Sequence, residues 1–405
     1  MKMESLQLRE NNSAMPRSGR ILLSLLSRLH CGRLEFIDPC GDCFIFKGTY
    51  PGPEASLIIR DWSVCADVLT SGDIGFAEAY LAMKWESNDL PALLELAARN
   101  RDVLEKAIHG KWWGKVLYRL RHLTRRNTRS NARRNIHAHY DLGNAFYQAW
   151  LDKTMTYSSA LFGSDSSRSL EQAQLAKYRR ILDQLEIQKG DRILEIGCGW
   201  GGFAEVAARE RGARVHGITL SQEQWSFCTQ RMREAGLDGQ VQIEICDYRD
   251  VKGQFDFIVS IEMFEAVGEA YWPGYFAAVR ERLRSGGRAL IQTIVIADEL
   301  FDDYRRSTDF IQQYVFPGGM LPSPSVFRRE AKSAGLAVGG SHYFGPDYAE
   351  TLARWRDRYN SVAALLRNHG FDARFERLWN FYLAYCEAGF RAGSIDVAQM
   401  ELING

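Results

Sequence analysis

The stretch GDRILEIGCGWGG, residues 190–202, decides the fold. Arg192–Ile196 is a short apolar run that leads straight into glycines at 197, 199 and 202. Such a run reads as a strand buried on both faces, and the glycines let the chain turn tightly and approach a ligand closely. The pattern then repeats. ARVHGITL (213–220), VQIEICDY (241–248), FDFIVSIE (255–262) and GRALIQTIV (287–295) are four more apolar strands. Helical stretches such as Gln222–Glu234 and Tyr271–Leu283 lie between them. Strands alternating with helices predict an α/β fold, a doubly wound and mostly parallel sheet. Its ligands are expected beyond the C-terminal strand ends.

The totals bound the rest. The chain has 405 residues, with 51 basic and 50 acidic side chains and a net charge of +1, so the overall charge does not suggest nucleic acid. At 46% hydrophobic residues it can bury a sizeable core. No run is long enough to span a bilayer. The eight cysteines include no matched pair of CxxC elements, so Cys40-Gly-Asp-Cys43 reads as a turn and no metal is expected. Free thiols such as Cys198 and Cys246 fit a reducing cytoplasm.

Residues 1–20 read as a loose polar tail. A small N-terminal α+β domain is expected over 21–110, with short strands from Arg33 to Arg60 and helices from Ser63 to Lys106. Residues 111–135, KWWGKVLYRLRHLTRRNTRSNARRN, carry many Lys and Arg and no acid. They read either as a solvated linker or as a patch that meets anionic phospholipid headgroups, with Trp112 and Trp113 at the interface. A larger second domain, which holds the alternating strands and helices, is expected over 136–405.

The glycine loop alone is a weak signal, because it also satisfies the dinucleotide pattern. A dinucleotide site predicts an acid at the end of the next strand, where this chain has Thr219 and Leu220. Glu195, just before the first glycine, makes the pattern E-x-G-x-G, which resembles the first motif of class I S-adenosylmethionine methyltransferases. HYDLGNAFYQAWLDKTMTYSSALF (139–162), IVSIEMFEAVGEAYWPGYF (258–276), YVFPGGMLPS (314–323) and FGPDYAETLARWRDRY (344–359) follow the order of the cyclopropane fatty acid synthase family, which includes the mycolic acid cyclopropane synthases. The resemblance runs from about Arg33 to the end.

That resemblance implies a Rossmann-like methyltransferase that moves the methyl of S-adenosylmethionine to the double bond of an unsaturated phospholipid acyl chain and closes a cyclopropane. The alternative is the same first step ending in a methyl-branched chain. More distant alternatives are a small-molecule N-methyltransferase and a non-catalytic lipid-binding protein. The expected setting is the cytoplasm, peripheral at the inner membrane surface, with room for a homodimer. For the cofactor it implies Tyr157, Ser158, Gly197, Gly199, Thr219, Gln224, Asp247 and Tyr248.

An alkene is a weak nucleophile, so it must be aligned in a dry pocket. The cation it becomes can be stabilised by aromatic faces, for which Tyr140, Tyr157, Phe264, Tyr314 and Phe316 are candidates. Ring closure then needs a base, which the family resemblance implies is a bound bicarbonate. Its holders carry over to Glu265, Tyr348, the backbone amide of Ser159 and position 292. Position 292 is Gln292 where the family has a histidine, and Ala266 stands where a second histidine is frequent. Glutamine donates a hydrogen bond but carries no charge. An amide in the middle of an apolar strand needs partners, or its burial costs roughly 1–3 kcal/mol.

Overall fold

The doubly wound sheet is present in a computed structural model describing residues 15–108, 142–165 and 167–405. Two compact units divide the chain, Met1–Val116 and Leu117–Gly405. Tyr140 and the basic stretch 111–135 lie outside the described residues.

The first unit is built on four strands, β1 (Cys31–Ile37), β2 (Cys43–Lys47), β3 (Tyr50–Ile59) and β4 (Trp85–Glu86), in the order β2-β1-β3-β4. Asp38 Oδ1 accepts from the amides of Cys40 and Asp42, which makes Cys40–Cys43 the β1–β2 turn. Buried Asn100 ties this sheet to a helix: it accepts from the His30 amide at 2.8 Å and donates to the Leu96 carbonyl at 2.8 Å. A helix runs over Arg17–Leu26, so it begins inside the stretch expected as a tail. Leu22, Leu25 and Leu26 recur at helical spacing and are buried, so burial of one face fixes the segment.

The second unit holds seven strands: β5 (Arg192–Ile196), β6 (Arg214–Thr219), β7 (Val241–Ile245), β8 (Phe255–Ile261), β9 (Leu283–Ile296), β10 (Leu336–Tyr343) and β11 (Ile395–Asn404). Their order is β10-β11-β9-β8-β5-β6-β7. Strands β5 to β9 are parallel neighbours, and β11 alone runs against β9 and β10. Both faces are covered. Leu194 and Ile196 pack into one core, while Ile193 packs into the other with Leu290. That is why these strands read as near-continuous apolar runs.

Strands β10 and β11 are absent from the sequence reading. The edge strand β10, LAVGGSHY, has two glycines in its middle and no clean period of two. Gly286 and Gly287 lie within β9 rather than in a turn before it: the register jumps from Phe255↔Leu283 to Phe257↔Arg288, a bulge with Gly286 at φ +72°.

Candidate active site

Gln292 is fully buried on β9 and its amide partners are explicit. On β11 its direct neighbour across the ladder is Gln399, whose Nε2 donates to Gln292 Oε1 at 3.0 Å. Gln399 Oε1 in turn accepts from the Arg180 guanidinium at 2.6 Å. With its oxygen thus engaged, Gln292 must aim its NH₂ the other way, and it donates to Glu262 Oε1 at 2.7 Å.

Glu262 directly follows β8. It takes a left-handed backbone, φ +50°, which costs a non-glycine residue roughly 1–3 kcal/mol. Three donors from three elements converge on its carboxylate. The Ser159 amide reaches Oε1 at 2.8 Å, Gln292 reaches the same oxygen, and the Tyr348 hydroxyl reaches Oε2 at 2.5 Å. Tyr348 sits in the first turn of the helix Gly345–Asn368. Burial raises the Glu262 carboxyl, opposed by the Lys177 ammonium and by these three donors.

Glu265 lies three residues on, in a short 3₁₀ turn over Phe264–Ala266. Pairing of β8 with β9 ends at Ile261↔Gln292, which frees the next outward-facing amide of β9. That amide, Ile294 N–H, donates to Glu265 Oε1 at 2.5 Å. Glu265 Oε2 is buried without a hydrogen-bond partner. Burial, and then the charge of Glu262, push the Glu265 carboxyl up to about 8. Near neutrality Glu265 is therefore mainly a protonated acid, while Lys177 and the three donors favour the ionised form of Glu262.

The glycine loop lies against this cleft. A Cβ on Gly197 would stand 2.8 Å from the Met263 side chain, between the two acids in sequence. Gly199 has φ +53° and nothing within 4 Å of where its Cβ would be, so the loop leaves open space there. Glu195 is buried, its Oε2 has no partner, and burial raises its carboxyl well above the ordinary range. Thr219 Oγ1 donates to Gln224 Oε1 at 2.7 Å, which joins the end of β6 to the helix Gln222–Glu234. Open backbone, an unpartnered buried acid and hydroxyl–amide groups at the strand ends fit the amino-acid part of S-adenosylmethionine. Asp247, at the end of β7, chelates Arg249 at 2.7 and 2.5 Å, and Tyr248 packs edge-on to Tyr275.

Lys177 had no signal in the sequence. It is wholly buried and donates to Ser158 Oγ at 2.6 Å and Gln174 Oε1 at 2.8 Å. Burial lowers its ammonium to about 7 against the pull of Glu262, Asp152 and Glu195. Ser158 is thus held from within by Lys177 and, at its carbonyl, by Gln174.

Aromatic rings cluster beside these residues. Tyr157 meets Trp355 at 5.2 Å between centroids and shares a 2.7 Å hydroxyl contact with Tyr382. Tyr382 also neighbours Phe316, and Tyr348 packs on Phe390. Phe264 belongs instead to the core: it is fully buried among Trp272, Tyr275, Phe276 and Phe327, so it is not a cation-facing ring. Tyr314 stacks on Phe310. Ser159, Gln292 and Tyr348 come together, but around Glu262 and not around Glu265. A second acid just beyond a β-strand, in IVSIE, is the signal that could have found it.

Residues 127–400 match the family described as mycolic acid cyclopropane synthetase. The chain is 42% identical over 340 residues to the tuberculostearic acid methyltransferase UfaA1 of Mycobacterium tuberculosis, which spans 82% of this chain and 79% of that protein. It is 35% identical over 345 residues to the cyclopropane-fatty-acyl-phospholipid synthase of Escherichia coli K12, spanning 84% of this chain and 85% of that one. Among solved structures, the mycolic acid cyclopropane synthase CmaA1 complexed with SAH and CTAB superposes with a TM-score of 0.63 at 30% identity, over 67% of this chain and 98% of that one.

Two outcomes are expected. Gly199→Asp should abolish S-adenosylmethionine binding in calorimetry, since a side chain there fills the open space and adds an unpaired charge; undiminished affinity in the folded variant rejects the site. Glu265→Gln should change how stability depends on pH. The folded carboxyl holds its proton up to about 8, while the unfolded one releases it near 4.5. Wild type should therefore lose stability relative to the variant as pH rises through that window, by up to about 1.4 kcal/mol per pH unit, and the gap should level off above it. Denaturant unfolding of both chains from pH 4 to 9 is the measurement, and a constant gap refutes the assignment.

Proposed function

The chain belongs to the mycolic acid cyclopropane synthetase family of S-adenosylmethionine-dependent methyltransferases, enzymes acting on lipid acyl chains, and on that premise we propose its substrate and product. The substrate is an unsaturated acyl chain of a membrane phospholipid. The product is a methyl-branched chain without a ring. The observation that carries the reading is the convergence of Ser159, Gln292 and Tyr348 on Glu262, with a second acid, Glu265, three residues on and the glycine loop against the residue between them.

When bound, S-adenosylmethionine supplies an electrophilic methyl group. This chain's residues do the rest. The aromatic cluster excludes water and offers ring faces to a cationic carbon. Proton loss then ends the reaction, and it leaves either a three-membered ring or a displaced double bond in a methyl-branched chain. Neither outcome needs a reductant. Support for the branched outcome comes from Gln292, a neutral amide where the family has a histidine, and from the 42% identity to a tuberculostearic acid methyltransferase, an enzyme of methyl branching. The second reading is ring closure, favoured by the similarity to the bacterial cyclopropane-fatty-acyl-phospholipid synthase. Intact phospholipid as substrate rests on the same relative.

The setting we propose is the membrane surface. No helix among the described residues is long and apolar enough to cross a membrane. The basic stretch 111–135, with Trp112 and Trp113, suits anionic headgroups.

Lipids from a host expressing the protein should contain chains one methylene unit heavier. Ring and branched alkene are isomers, so mass alone does not separate them. Mild hydrogenation does: the branched product takes up hydrogen and the ring persists. A product unchanged by hydrogenation and co-eluting with a cyclopropane standard overturns the branched reading. Replacing Arg125, Arg126, Arg133 and Arg134 with glutamine should weaken binding to anionic vesicles by on the order of 1 kcal/mol per charge. Equal binding of wild type and variant, with no effect of salt, refutes the membrane role of the stretch.

A further inference from the structure

We propose that the Glu262 carboxylate is the resident proton acceptor of the second half-reaction and occupies the donor set that family resemblance assigns to bicarbonate. This deepens the acyl-chain reading above and rests on it.

The geometry comes first. The resemblance assigns bicarbonate four holders on this chain: Glu265, Tyr348, the Ser159 amide and position 292. Three of the four, all donors, are engaged by one carboxylate of the protein itself, at 2.8 Å from Ser159 N, 2.7 Å from Gln292 Nε2 and 2.5 Å from Tyr348 Oη. A bicarbonate that used them would have to displace Glu262. The donors are not free to turn elsewhere. Gln292 is fixed by the Arg180–Gln399 relay, and Ser159 is buried in the segment whose next amide, Ala160 N–H, donates to Thr351 at 3.0 Å.

The lone-pair count follows. Glu262 Oε1 accepts two of these donors and Oε2 accepts one, which leaves Oε2 a lone pair for a proton. Glu262 is also partly accessible, whereas Gln292 and Ser159 are fully buried. Of this cluster it is the most accessible member. Its left-handed backbone points the same way, because a glycine would sit there without strain. A non-glycine residue held in that conformation is the kind of outlier that marks a working site.

The step balances without a co-reactant. Methyl transfer leaves a carbon cation on the chain. A C–H bond beside it breaks, its electron pair forms the new carbon–carbon bond (the second bond of an alkene, or the third side of a ring), and the proton passes to Glu262 Oε2. Glu262 later releases that proton to solvent. Gln292, Tyr348 and the Ser159 amide are positioning residues that hold the carboxylate.

The test uses the full chain, labelled S-adenosylmethionine and vesicles of an unsaturated phospholipid, in buffers with and without bicarbonate. Wild type should label lipid equally in both. Glu262→Gly suits the backbone, empties the space and leaves the three donors unfilled. It should lose on the order of 10²-fold in turnover without bicarbonate, and recover when bicarbonate is added. Glu262→Gln fills the space with a neutral group and should be equally slow in both buffers. Wild-type turnover that depends on bicarbonate overturns the proposal, and so does full activity of Glu262→Gly in bicarbonate-free buffer. Rescue of Glu262→Gln to the same extent as Glu262→Gly also overturns it. If wild type labels no lipid in either buffer, the acyl-chain reading itself falls, and this inference falls with it. The wild-type arm needs no variant to fold.

Discussion

The carboxylate of Glu262 is the point at which three separate parts of the methyltransferase unit are tied together. Ser159 comes from the segment before the sheet, Gln292 from β9 and Tyr348 from the helix Gly345–Asn368. Each donor would be costly to bury unpaired, roughly 1–3 kcal/mol apiece. The acid would be costlier still without them. The groups therefore stabilise one another only as a set, and the cleft has one arrangement in which all are satisfied. The relay from Arg180 through Gln399 extends the same logic to β11, so a cationic side chain on the helix Leu170–Gln184 helps to decide which end of the Gln292 amide meets the acid.

Around that point the charges are arranged to disagree. Lys177, Glu195, Glu262 and Glu265 lie in one low-dielectric region, and burial drives each of them toward its neutral form. Their mutual attractions and the available donors decide which charges survive. Glu262 has three donors and the pull of Lys177. Glu265 has the Ile294 amide but also the repulsion of Glu262, and it keeps its proton up to about 8. Two carboxyls three residues apart thus meet different partners, and those partners stabilise the ionised form of Glu262 more than that of Glu265.

The alternation of strands and helices after Gln188 was legible because both faces of each central strand are buried, which makes apolar runs unavoidable. The glycine loop was legible because the positive φ at Gly197 and Gly199 favours glycine. Edge strand β10 was not legible, since its half-exposed residues need not alternate. Phe264 illustrates the opposite error. An aromatic next to a motif acid looks functional in one dimension, yet the strand end turns it into the core.

The sequence by itself determined the fold class and the glycine loop, because backbone sterics and apolar periodicity are local and leave a local record. Only the tertiary structure decided what the site residues surround. Gln292 and Tyr348 are 56 residues apart and Ser159 is 133 residues from Gln292, by position in the chain. No local pattern states which acid lies at their common point. Hydrogen bonds reach about 3 Å, so the choice between Glu262 and Glu265 depends on how β8 ends against β9, and that is settled only when the strands pair.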